Sequence, residues 1–196
     1  MTTPCKCTII YGPLHDCGCT AGRNNLDGEP QRQVTLVFLR SELLYDIANM
    51  AYVEGDILAE EAQCLRHQVQ DVAEDGNVDR VTRVLDLVHA KVEEDLYPFT
   101  QEAVEDGLEL DDTLTEQEKY LITLNVPVDF SKTTANYLVR LIHELLVCRA
   151  LYDWLSATGK DDSAAKWLGK YKEAEEEIQT ALTIRMGRVH RPMRPW

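Results

Sequence analysis

The sequence predicts a mainly α protein: a bundle of about five helices, a small two-stranded β-ribbon beside it, and an extended arm at each end. Three observations predict this. Apolar residues recur at three-and-four spacing through most of residues 41–186. Only two short runs, Val34–Phe38 and Tyr120–Leu124, are β-prone, and two strands are too few for a sheet core. Glycines, prolines and asparagines break every candidate element in residues 1–33, and Pro192 and Pro195 forbid helix near the other end. The 196 residues therefore divide into a Cys-rich, loop-like arm (1–33), a helical body (34–186) and a basic arm (187–196).

The elements of the body follow in order. Val34-Thr35-Leu36-Val37-Phe38 is the first strand. Ser41 can cap a helix with Leu44, Ile47, Ala48 and Ala51 on one face. Gly55-Asp56 restarts the chain, and Asp56 can cap a second helix carrying Leu58, Ala62, Leu65, Val69 and Val72. Asp75-Gly76 ends it. Asn77 can cap a third helix, with Val78, Val81, Leu85, Val88, Val92 and Leu96 on one stripe, stopped by Pro98. The second strand, Tyr120–Leu124, is closed by Pro127. Ser131 or Thr133 then opens the most apolar helix, to about Ser156. Its apolar residues cover nearly the whole circumference, so it is buried on most sides: at the centre of the bundle, or between the bundle and another subunit. Thr158-Gly159 breaks the chain, and Asp161, Asp162 and Ser163 suit the start of the last helix. That helix has a single stripe from Ala164 to Leu182 and packs back as an antiparallel hairpin.

Charge is unevenly placed. Lys plus Arg number 20 and Asp plus Glu 34, a formal net charge of −14. Such an acidic chain argues against generic nucleic-acid binding by charge. Residues 93–118 hold eleven acids and no base. This run reads as a solvated face, or as a surface that avoids or imitates DNA. Arg185, Arg188, Arg191 and Arg194 stand in the last twelve residues without an acid, beside Met193 and Trp196. Arg and Trp are enriched in binding hot spots, so this segment reads as a docking arm for a partner. No apolar run is long enough to span a membrane, and Met1–Cys7 shows no secretory pattern. The expected compartment is therefore reducing, with Cys64 and Cys148 as small buried hydrophobes.

Candidate chemistry is sparse. Cys5-Lys6-Cys7 and Cys17-Gly18-Cys19 form a doubled C-x-C, and four thiolates can hold zinc tetrahedrally and staple a coreless arm. Apart from this zinc, no cofactor is expected. Arg140, His143 and Glu144 share a helix face, which suits an acid–base patch or an ion-pair network at a helix or subunit contact. No nucleophile elbow, P-loop or dinucleotide fingerprint occurs, so no catalytic residue is assigned. If the most apolar helix also faces another subunit, Tyr137, Arg140, Glu144, Leu146, Arg149 and Trp154 are the candidate interface, with Leu146 toward the neighbour and Leu141 toward the core.

The body has a recognisable order. A short strand is followed by SELLYDIANMAYVEGD, a helix leading to DGNVDRVTRVLDLVHAKVEEDLYPFT, then YLITLNVPVDFSKTTANYLVRLIHELLVCRALYDWLSATG, then a Lys/Glu-rich helix ending TALTIRMGRVHRPMRPW. This order resembles uncharacterised structural proteins of Bacteroidales phages and prophages. In architecture it is similar to the helical head–tail connector, or adaptor, proteins of tailed phages. The resemblance covers about residues 34–196, and the Cys-rich arm lies outside it. It implies a virion protein, present in host cytoplasm during assembly. It further implies a homo-oligomeric ring of about a dozen copies under the portal, with double-stranded DNA passing through and with neighbouring tail or ring proteins as further partners. Residues Arg185–Trp196 would be the segment that docks onto the portal. Two other classes stay open: an acidic decoy that occupies a nucleic-acid-binding protein, and an enzyme built around Arg140, His143 and Glu144.

Overall fold

The computed structural model describes residues 31–57, 63–97, 99–101, 113, 116–128 and 130–185. Among these are two strands, five α-helices and one 3₁₀ turn. Strand β1 (Gln31–Leu39) runs into α1 (Arg40–Asp56). Helix α2 (Gln63–Gln70) and the 3₁₀ turn Asp71–Ala73 follow. Then come α3 (Asp75–Asp95), β2 (Lys119–Pro127), α4 (Lys132–Ala157) and α5 (Asp161–Arg185). The helical bundle with an antiparallel two-stranded ribbon is the predicted fold.

The ribbon is longer than its apolar runs. Nine residue pairs align from Gln31↔Pro127 to Leu39↔Lys119, so β1 begins inside the segment read as an arm. Leu36, Phe38, Tyr120, Ile122, Leu124 and Val126 alternate onto one face and are buried. The Tyr120 hydroxyl leaves this apolar layer to donate to Asp86 on α3 at 2.8 Å. Burial first, and that bond second, hold its pKa well above the ordinary tyrosine value.

Several helix boundaries shift for local reasons. Gly55 lies inside α1 and does not restart the chain. A Cβ there would stand 2.7 Å from the Gln70 side chain, so glycine lets α2 lie close to α1. Asp56 closes α1, and its carboxylate accepts from Arg66 and from the Gln70 amide. Leu58 and Ala62 lie outside the described residues; Leu65 is exposed, while Val69 and Val72 are buried. Helix α3 starts two residues before Asn77, whose amide instead donates back to the Asp71 carbonyl at 2.8 Å. Its stripe Val81, Leu85, Val88, Val92 and Leu96 is buried as the spacing predicts.

Helices α4 and α5 form the predicted hairpin. Ser131 caps α4, accepting from the Thr133 N–H at 3.2 Å. Gly159, at φ 72°, makes the left-handed turn before α5. Twelve residues of α4 are buried, including Leu138, Leu141, Ile142, Leu145, Leu146 and Leu151. On α5, Ala164, Trp167, Tyr171, Ala174, Ile178 and Leu182 face them, with Leu168 half-buried beside Trp167. Cys148 is buried, and desolvation pushes its thiol up to about 11. Cys64, predicted buried, is exposed on the polar side of α2.

Candidate functional site: the outward face of α1

Helix α1 has a buried apolar face and an exposed face on which apolar and acidic side chains are interspersed. Leu43, Ile47, Ala51 and Gly55, four residues apart, are buried against the bundle. Away from it, Tyr45 is 71% exposed, Tyr52 53% and Val53 49%, and Ile57 at the helix end is 74% exposed. Met50, 39% exposed, borders them. At 100° per residue these five side chains cover about 160° of the helix circumference. Among the described residues nothing covers them. Acids are interspersed with them: on the same count Glu42, Asp46 and Asp56 of α1 fall within this sector and Glu54 beyond it, against Arg40 alone.

Polar ties hold this face rigidly on the bundle. His143 of α4 meets the Asp46 carboxylate at 2.8 Å. The Trp167 indole of α5 donates to Glu54 at 3.1 Å. The Asp56–Arg66 pair fixes α2 to its end. The three contacts lie along the helix, so its outer stripe is presented as a fixed surface. Aromatic and aliphatic side chains on a fixed helix bury area on contact at little entropic cost.

The residues singled out from the sequence fall elsewhere. Leu146 does not face a neighbour: at 1% exposure it is deeper than Leu141 at 7%, and both lie in this chain's own core. Trp154 is likewise internal, with its indole N–H donating to the Val69 carbonyl at 2.9 Å. Both corrections have one cause. The bundle supplies neighbours on nearly every side of α4, so its apolar circumference is satisfied within one chain. Arg149 stacks over Tyr152 at 5.1 Å and Tyr171 at 5.7 Å, inside the α4–α5 hairpin. The Tyr137 hydroxyl donates to Glu177 at 2.6 Å across the same pair. Arg140 and Glu144 are exposed, and His143 turns to Asp46. The trio is thus not assembled around a common point; His143 is a tie between helices.

A second polar cluster joins α3 to α5. Lys91 donates to Glu175 at 2.7 Å and to the Tyr171 hydroxyl at 2.8 Å. Those two bonds, that to Glu175 foremost, raise its pKa above the ordinary lysine value. Lys91 sits half-exposed against a helix seam, where its chemistry is that of an ion-pair clasp. Beside the ribbon, the Arg40 guanidinium donates to Thr82 at 2.9 Å and faces Glu116 at 3.6 Å.

Cys5, Cys7, Cys17 and Cys19 lie outside the described residues, as do Arg188, Arg191, Met193, Arg194 and Trp196; Arg185 is the last residue of α5. Among the described residues no group of three or more His, Cys, Asp or Glu side chains is placed to hold a metal ion, and no helix is long and apolar enough to cross a membrane. The outer stripe of α1 escaped the sequence reading because one amphipathic face had already accounted for the helix. The signal was present in Tyr45, Tyr52 and Val53, seven and eight residues apart. No family model, no curated protein and no solved structure matches this chain.

Proposed function

We propose that this chain is a virion structural protein, a head–tail connector or adaptor of a tailed phage. Copies assemble into a ring under the portal, and double-stranded DNA passes through its lumen. The observation that carries this reading is the outward apolar stripe of α1 on an otherwise acidic helical body. Exposed apolar side chains grouped on one surface mark an assembly site. The acidic excess suits a channel wall, because cationic walls would hold phosphates and stall the passing DNA. The subunit contact is thereby moved from α4, where the sequence suggested it, to α1. The role is structural, with the chain itself, the portal and adjacent ring or tail proteins as partners. The basic segment Arg185–Trp196 serves as the docking arm, seeking an acidic surface.

A second reading is favoured by the eleven acids of residues 93–118: a decoy that occupies a nucleic-acid-binding protein. A decoy works as a monomer or dimer and competes with DNA for its target. Native mass spectrometry of the purified chain, alone and with its portal, separates the two. A closed oligomer in either condition supports the connector. A monomer in both conditions overturns it.

A further inference from the structure

We infer that the outward stripe of α1 is the seat of the C-terminal arm of a second copy of this chain. The inference rests on the ring reading and names the contact that closes the ring. Two occupants from a second copy compete for the stripe: its own α1, or its basic arm. Charge decides between them. Two α1 helices face to face would bring Glu42, Asp46 and Asp56 of one copy against the same acids of the other. Like charges at close range are repulsive. The arm instead brings Arg185, Arg188, Arg191 and Arg194, with no acid, to a helix with four acids and one base.

Symmetry points the same way. Packing α1 on α1 is isologous and closes at a dimer, whereas an arm on the next copy's helix is heterologous, the contact type from which rings are built when the rotation closes. Length and spacing fit as well. Residues 186–196, eleven in all, reach at most about 40 Å when extended, against about 25 Å for the 17 residues of α1. Val189, Met193 and Trp196 would span about 23 Å, close to the 18 Å or so from Tyr45 to Ile57. These three side chains meet Tyr45, Tyr52, Val53 and Ile57, and the intervening arginines can lie over the tyrosine rings or against Glu42, Asp46 and Asp56 between them.

The test uses the full chain with the photo-cross-linker p-benzoylphenylalanine in place of Trp196. Equal amounts of nitrogen-14 and nitrogen-15 protein are unfolded together, refolded as a mixture, irradiated and mapped by mass spectrometry. Cross-links landing between residues 45 and 57 in mixed-isotope pairs are expected. Val53→Asp should lower their yield on the order of tenfold or more, as for a contact at the centre of an interface. Leu87→Asp, at an exposed site on α3, should leave it unchanged. Same-isotope pairs alone would mean that the arm folds back on its own helix, and would overturn the inference. Cross-links elsewhere would also overturn it. Native mass of the unlabelled chain, alone and with its portal, keeps the two levels apart. A ring with cross-links elsewhere removes only the arm's seat, whereas a monomer in both conditions removes the ring reading with it.

Discussion

Helices α4 and α1 both carry apolar residues around much of their circumference, and the bundle treats them oppositely. Helix α4 is enclosed by its own chain: Leu138, Ile142, Leu151 and Leu155 are fully buried, and even Trp154 finds its hydrogen-bond partner at home. Helix α1 is enclosed on one side only, leaving Tyr45, Tyr52, Val53 and Ile57 outward. An all-round apolar pattern therefore states that a helix needs neighbours, and leaves open whether one chain supplies them. Position in the fold decides. Helix α4 is covered by α5, α3 and α1, whereas α1 lies at the margin with α2 on its C-terminal half.

The comparison is broken most severely in α4. Leu146→Asp places an unpaired charge in the core and should cost more than about 4 kcal/mol, enough to leave most of the chain unfolded. A folded, monomeric Leu146→Asp protein would return α4 to the role of subunit contact. Circular dichroism with native mass reads both results at once.

Alkaline pH is the next largest perturbation, and its sign can be worked out. The folded Cys148 thiol titrates near about 11, above the ordinary 9.0, because burial disfavours the thiolate. Between these values the unfolded chain releases the proton first, so stability falls as pH rises from 9.0 toward 11. Tyr120, raised by burial and Asp86, adds a loss that begins above 10.0. Lys91 acts in the same direction: its clasp to Glu175 and Tyr171 is intact below 10.5 and is lost as pH climbs past the raised value. Urea midpoints should hold up to about pH 9 and fall from there toward pH 11. Cys148→Ala should flatten the first part of that fall, and an equally steep fall would remove the thiol from the account.

Trp154→Phe tests the internal satisfaction of α4 more gently. It orphans the Val69 carbonyl and should cost about 1–3 kcal/mol in denaturant unfolding while leaving the oligomer unchanged. A lost oligomer at unchanged stability would mean that the indole serves a neighbour. The smallest effect on stability belongs to α1. Tyr52→Asp, on a half-exposed position, should shift unfolding by no more than about 0.5 kcal/mol yet abolish assembly. Assembly that survives Tyr52→Asp and Val53→Asp together would empty the outward stripe of meaning.

Much of the fold was legible in the sequence because period and punctuation agreed. The α3 stripe, the Ser131 cap and the Gly159 turn each rest on a local rule, and each stands where that rule puts it. What was misread depended on distant partners. Gly55 looks like a helix stop, but it is a contact allowance for Gln70, which lies fifteen residues on. Arg32 and Gln33 have no β signature; they extend β1 because Val126 and Asn125 stand opposite. The candidate site was misplaced for the same reason. Val53 and Leu146 are both apolar in a sequence window, and only the packed bundle separates outside from inside.

The ribbon has a consequence in time. Thr35 pairs with Thr123, 88 residues later, and α1, α2 and α3 all intervene. A ribosome adding about 5–20 residues per second needs about 4–18 s to cover that gap. Throughout that interval Val34-Thr35-Leu36-Val37-Phe38 is a strand without a mate. The α4–α5 hairpin, by contrast, joins neighbours in sequence and can form as soon as its last turn is made. The first of the described elements thus waits for three helices to be made before its mate exists. A nascent chain stalled before Pro127 exposes this unpaired strand edge, so slow translation through the acidic stretch before β2 would reduce yield more than slow translation anywhere after it.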